Sequence, residues 1–202
     1  MANQEMCCGN SPFFGCRFSL YPMTDSFVPV ILDAIEELKK PGLEVESDDV
    51  STFVSGLEEN VFAALRDTLA KAAASGKHVV MTTTFSKGCP GEGFVDISKY
   101  RVQEQTDFER NKNVNHLVTC QFSMYPLGAV DYMSTIYQIV QATKDQGLFA
   151  GSQHFCTRIS GSIEQVFHLL EEAFRLTAAI ASHVVMVATL SCNSPSTAKE
   201  EV

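Results

Sequence analysis

Serine and tyrosine two residues apart, with proline next, occur twice in this chain. Ser19, Tyr21 and Pro22 lie in the run Arg17-Phe18-Ser19-Leu20-Tyr21-Pro22-Met23, and Ser123, Tyr125 and Pro126 in the run Gln121-Phe122-Ser123-Met124-Tyr125-Pro126-Leu127. A hydroxyl both donates and accepts a hydrogen bond, and a phenol adds an aromatic wall, so the pair is equipped to hold a small, flat, polar heterocycle. In an extended chain, alternation puts Arg17, Ser19 and Tyr21 on one face with Phe18 and Leu20 on the other. The same face would carry Ser51, Phe53 and Ser55 from a later strand and Thr82, Thr84 and Ser86 from the last one. Gln121, Ser123, Tyr125, Cys156, Arg158 and Ser160 are their partners in the second half. The plainer reading of any one of these residues is an exposed or dimer-facing sheet surface.

Catalytic constellations are scarce by comparison. His78 and His183 begin equivalent strands and read as satisfied structural residues. No serine or cysteine nucleophile stands in a recognisable motif, and there is no phosphate-cradling glycine loop. Seven cysteines form no CxxC pair and sit mostly in apolar contexts, which points to reduced, buried thiols and against a structural metal. Catalysis is therefore the weaker reading.

The elements that must position these side chains come in duplicate. Cys16, Phe18, Ser19, Tyr21 and Pro22 recur at an offset of 104, and an offset of 105 then holds without a gap from Phe27/Tyr132 to Pro90/Pro195. Across both blocks 26 of 72 paired positions are identical, which shared propensity in one register does not produce. His78-Val79-Val80-Met81 returns as His183 to Met186, Ser55-Gly56 as Ser160-Gly161, Gly42-Leu43 as Gly147-Leu148, and Val61-Phe62 as Val166-Phe167.

Each half reads as βαββαβ. A strand over Arg17 to Met23 ends at Pro22. Phe27, Val30, Ile31, Ala34, Ile35 and Leu38 then fall at helical spacing until Pro41-Gly42. Strands are expected at Leu43 to Ser47 and Val50 to Leu57 around an Asp48-Asp49 turn. Val61, Phe62, Leu65 and Leu69 mark a second helix that Gly76 closes, and His78 to Ser86 forms the last strand. The second half places Phe122 and Met124 inward, Ile136, Ile139 and Val140 on a helix, Phe155, Thr157 and Ile159 on a strand, and Val166, Phe167, Leu170 and Phe174 on the last helix. The expected class is α+β, with tandem ferredoxin-like (ACT-like) units and antiparallel sheets. The expected organisation is an extension at 1–15, a first unit at 16–90, a polar connecting segment at 91–116, a second unit at 117–195 and a frayed tail at 196–202.

A formal net charge of −9 disfavours nucleic-acid binding, which draws on clustered Lys and Arg. No apolar run approaches the ~20 residues of a membrane-spanning helix, and residues 1–15 lack the basic start and apolar stretch of a secretory signal, so the cytoplasm is the expected compartment.

The stretch Cys16 to Asp25 resembles the start of the YkoF family, which binds thiamin and hydroxymethylpyrimidine. Its second copy from Cys120 to Pro126, Asp131-Tyr132-Met133, the two His-Val-Val-Met runs, Gly88-Cys89-Pro90-Gly91 and Leu190 to Ser196 are similar too, in matching order. The resemblance implies a tandem ACT-like subunit that forms a homodimer and binds thiamin or its pyrimidine precursor, with one site per repeat. It also implies a soluble role beside a membrane importer for the pyrimidine moiety, with thiamin or hydroxymethylpyrimidine as ligand and no cofactor.

An aminopyrimidine needs a rigid acceptor for its exocyclic amine, a donor for its ring nitrogens and a flat apolar wall. In the first repeat Arg17, Ser19, Tyr21, Asp49, Thr52 and Thr84 are the candidates. Their counterparts are Gln121, Ser123, Tyr125, His154, Thr157 and Thr189. The two sites should differ, because Arg17 becomes Gln121, Asp48 becomes Gln153, Asp49 becomes His154 and Phe53 becomes Arg158. Carboxylates at Asp48 and Asp49 would favour the thiazolium cation of thiamin in the first repeat. Two rivals are an ACT-like regulatory module that senses an amino acid and an enzyme of thiamin salvage.

Overall fold

The computed structural model describes residues 14–89 and 114–196. Most of the expected N-terminal extension, of the connecting segment and of the tail lies outside the described residues. The first unit runs β1 (Phe14–Pro22), α1 (Phe27–Ile35) with one 3-10 turn (Glu36–Leu38), β2 (Leu43–Ser47), β3 (Thr52–Gly56), α2 (Glu58–Ala73) and β4 (Val79–Lys87). The second runs β5 (Leu117–Leu127), α3 (Met133–Asp145), β6 (Phe149–Gln153), β7 (Cys156–Ser162), α4 (Ile163–Ala178) and β8 (His183–Cys192).

Local chemistry accounts for these boundaries. Ser162 caps α4 by accepting from the Gln165 N–H, while the Gln165 side chain accepts from the Ser162 N–H, so two orphan donors of the first turn are satisfied. Gly42 and Gly147 follow the first helix of each unit at φ +94° and +70°, a left-handed turn that a side chain resists. One expectation fails at the β6–β7 turn. Phe155 belongs to no strand; it stands at the tip with φ +68° and 97% of its surface exposed. The turn between two closely paired strands needs one residue in the left-handed region, and this position takes it.

Strand alternation builds one core. Cys16, Phe18 and Leu20 of β1, with Val79, Met81 and Phe85 of β4, are buried, as are Val118, Cys120 and Phe122 of β5 and Val184, Met186, Ala188 and Leu190 of β8. All meet the helical layer, in which α2 packs on α4, α1 on α2 and α3 on α4. At the seam Phe62 stacks on Phe85 with ring centroids 4.4 Å apart, and Phe14 meets Phe174 edge-on at 5.2 Å. Aromatic pairs of this kind add about 1 kcal/mol beyond the area that they bury.

The two units do not form separate sheets. Their strands make a single antiparallel sheet of eight in the order β2-β3-β1-β4-β8-β5-β7-β6. In isolation β4 and β8 would each be a bare edge with unpaired N–H and C=O groups, and pairing them satisfies both edges at once. The register runs from Val79↔Cys192 to Lys87↔Val184 and centres on Thr83↔Ala188, two residues that are themselves repeat equivalents. A pseudo-two-fold axis therefore passes through this pair, and the buried Thr83 hydroxyl donates to the Ala188 carbonyl at 3.1 Å. A two-fold normal to the sheet puts all four helices on one side and leaves the other side of the sheet open.

Candidate functional site

The open face carries the serine–tyrosine phrases. Register places Phe53, Arg17, Thr84, Val187 and Ser123 side by side in one row across five strands. The adjacent row holds Ser19, Thr82, Thr189, Gln121 and Arg158. The pseudo-two-fold exchanges the rows: Arg17 maps to Gln121, Ser19 to Ser123, Thr84 to Thr189 and Phe53 to Arg158. Tyr21 lies opposite Val80 at one end of the face and Tyr125 opposite Val185 at the other. Three strand spacings and three two-residue rows separate the tyrosines by about 25 Å, so each repeat has its own locus.

Each locus is bordered by a hairpin tip tied down by its serine. The Ser19 hydroxyl donates to the Val50 carbonyl at 3.0 Å, and the Ser123 hydroxyl donates to the Phe155 carbonyl at 2.7 Å. With their protons so engaged, both serine oxygens keep lone pairs and can accept from a ligand amine. Tyr21 and Tyr125 are 48% and 47% exposed and offer aromatic surface at equivalent places. Thr84 and Thr189 are exposed hydroxyls on the central strands.

The charges differ between the loci. Arg17 Nη1 donates to Asp48 Oδ2 at 2.8 Å and to Ser51 Oγ at 2.9 Å, and its guanidinium stands 5.8 Å from the Phe53 ring centroid. Asp48 Oδ1 accepts from the backbone N–H groups of Ser51 and Val50, each at 2.8 Å. Those two N–H groups, and then Arg17, hold the Asp48 carboxyl below its usual range. Asp48 is thus a structural carboxylate that shapes the turn and anchors Arg17, and Asp49 beside it is exposed. In the second repeat Gln153 and His154 occupy these places. The Arg158 guanidinium donates to the Ala150 carbonyl at 3.4 Å, and the His154 ring lies 6.2 Å from that of Phe155.

Two of the candidates stand apart from the rest. Thr52 pairs with Phe18 and Thr157 with Phe122, on the helix-covered side, because each is one residue out of phase with the open-face set. Thr52 instead shares a hydrogen bond with Ser47 at 2.9 Å. Sequence reasoning missed the tips: Val50 and Phe155, 75% and 97% exposed, border the loci from turns whose direction no periodicity reveals.

His78 Nε2 lies 3.0 Å from Ser191 Oγ, joining the two repeats across the sheet. Cys16, Cys120 and Cys192 are free, and burial pushes each thiol up, that of Cys192 to about 12, so none is poised as a nucleophile at neutral pH. Among the described residues no group of His, Cys, Asp and Glu could hold a metal ion, and no helix is long and apolar enough to cross a membrane.

Comparison with known proteins agrees with the duplication. The model of the YKOF-related family matches twice, over residues 13–92 and 117–197. The chain is also similar to a Bacillus subtilis (strain 168) protein named "Putative HMP/thiamine-binding protein YkoF", with 36% identity over 192 residues, 95% of this chain and 96% of that one. Two family matches in tandem, on the two units that the sheet joins about its pseudo-two-fold axis, mean that this chain belongs to the YkoF-related family.

Proposed function

We propose that the chain is a binding protein for thiamin or hydroxymethylpyrimidine, with one site per repeat on the open sheet face and no catalytic step. The observation that carries the proposal is the paired construction of the loci: a tyrosine wall, a serine oxygen left as acceptor and a threonine hydroxyl, each present twice. The name borne by the Bacillus subtilis relative supports the choice of ligand. The aminopyrimidine amine would donate to Ser19 or Ser123, a ring nitrogen would accept from Thr84 or Thr189, and the ring would lie against Tyr21 or Tyr125.

The loci would bind the same ligand with different affinities. Arg17, Asp48 and Asp49 sum to a net negative charge in the first repeat, whereas Arg158 makes the second positive, so cationic thiamin would favour the first. A second copy of the chain would cover Val80, Val185, Val187 and Phe53 and wall in both loci, giving a homodimer. Such a protein would work in the cytoplasm, delivering ligand from an importer or into salvage.

Isothermal titration with thiamin and with hydroxymethylpyrimidine tests the reading. Two equivalents per chain, one lost in Tyr21→Ala and the other in Tyr125→Ala, are expected. Binding of neither compound, or binding unchanged by both substitutions, overturns it.

A further inference from the structure

The turn that borders the second locus carries a side chain that its position does not favour. Phe155 is held at φ +68° with 97% of its surface exposed, so no packing offsets the strain of a left-handed residue that has a Cβ. Glycine or asparagine would make the same turn at lower cost. The equivalent tip residue of the first repeat, Val50, is aliphatic, so the aromatic ring is particular to the second. Neither packing nor turn geometry accounts for a phenylalanine here.

Its place beside the locus does. Ser123 belongs to the open face, and its hydroxyl donates to the Phe155 carbonyl at 2.7 Å, which holds the tip against that face. Tyr125 stands one two-residue step further along β5, about 7 Å away. Two aromatic faces that enclose a flat ring lie about 7 Å apart, twice the ~3.5 Å contact distance, so the spacing leaves room for one heterocycle between the two side chains. The Phe155 ring meets that of His154 only at 6.2 Å and a tilt of 49°, and at such exposure it is free to turn about χ1. Charge does not supply selectivity for a cation here. Gln153 and His154 stand where the first repeat has Asp48 and Asp49, and Arg158 pairs with Gln121 on the neighbouring row. A neutral ring held by stacking suits this locus better than a cation.

We propose that Phe155 is the specificity-determining residue of the second locus, its ring closing on the bound heterocycle from the side opposite Tyr125. The second repeat then holds its ligand between two aromatic faces and selects flat, uncharged rings, whereas the first holds it against Tyr21 alone and selects by charge. This assignment rests on the open face being the binding surface for thiamin or hydroxymethylpyrimidine.

The test is calorimetric titration of the full chain in a Tyr21→Ala background, so that only the second repeat reports, with hydroxymethylpyrimidine as the probe. Phe155→Leu keeps the apolar bulk and the left-handed strain but removes the ring. It should weaken binding about five- to tenfold, as loss of an aromatic pair does, with the urea midpoint unmoved. Phe155→Trp restores a ring and should recover most of that loss. Because the chain has no other tryptophan, its fluorescence should be quenched as the site fills. Binding indifferent to Phe155→Leu, or tryptophan emission unmoved at saturation, overturns the assignment while Tyr125-dependent binding still upholds the open-face reading. A loss shared equally by the first repeat, measured in a Tyr125→Ala background, or dissociation of a dimer in sedimentation, gives the ring to a contact between copies and overturns the assignment as well. Wild-type protein that binds neither thiamin nor hydroxymethylpyrimidine overturns both readings together.

Discussion

Substituting Arg17 by Gln gives the first repeat the residue that the second already carries at Gln121, and separates electrostatic from neutral recognition. Arg17 and Asp48 are 53% and 46% exposed in their ion pair, so its loss should change stability by no more than about 1 kcal/mol. In a chain of this size that is a fall in Tm of roughly 3 °C. The effect on ligand is larger and selective. A ring lying over Ser19 is one two-residue row from Arg17, about 7 Å away. Two unit charges at that distance interact by about 0.6 kcal/mol in water and about 2 kcal/mol at a partly shielded surface. Removing Arg17 also leaves Asp48 Oδ2 without its guanidinium. Measured by titration calorimetry in a Tyr125→Ala background, so that only the first repeat reports, thiamin should bind about five times more tightly, corresponding to ~1 kcal/mol. Uncharged hydroxymethylpyrimidine should change less than about twofold. The gain for thiamin should shrink as ionic strength rises past ~0.1 M, where the Debye length falls below about 10 Å. Equal changes for both ligands, or weaker thiamin binding, would refute an electrostatic role for Arg17 at this locus.

Three further outcomes follow from the geometry. Phe155→Gly should raise stability by about 1 kcal/mol in urea unfolding, since it relieves a left-handed phenylalanine that buries almost nothing, while weakening ligand binding at the second repeat only. Gly88→Ala should cost about 3 kcal/mol or more, because at φ +93° its Cβ would stand 2.1 Å from the Ser182 carbonyl oxygen; an unchanged urea midpoint would contradict the seam geometry. Asn193, the repeat equivalent of Gly88, has φ +54° with room for its side chain, whose amide donates to the Ala73 and Lys77 carbonyls at 2.9 and 3.0 Å. The third concerns acid. Because Asp48 is held below its usual range in the folded chain, its contribution to stability is present above the ordinary carboxylate pKa and fades as pH falls through the depressed folded value. A carboxyl NMR titration should place the Asp48 midpoint below the usual carboxylate range, and Asp48→Asn should flatten the acid limb of the stability profile.

Much of the fold is legible in the residues because strand and helix periods are local properties. Phe18 and Leu20 alternate with Arg17, Ser19 and Tyr21, and Ala34 and Leu38 repeat at helical spacing, whichever partner they meet. Duplication lets each half check the other, and the same reasoning places ten of the twelve candidate side chains on the open face or at its bordering turns. Thr52 and Thr157 stand apart from the other ten by phase alone: a shift of one residue sends a side chain through the sheet. Phe155 fails because a turn's need for a left-handed residue outweighs the β propensity of phenylalanine.

Local periods and the duplication specify the repeated unit, its inward and outward faces, and the exchange of Arg17, Asp49 and Phe53 for Gln121, His154 and Arg158. Long-range packing settles that β4 and β8 join the units into one sheet and that α2 meets α4 across the seam. These are contacts between residues about a hundred positions apart. Nothing in a local period encodes which edge pairs with which, because unpaired edge groups are satisfied equally well by any strand that reaches them in register.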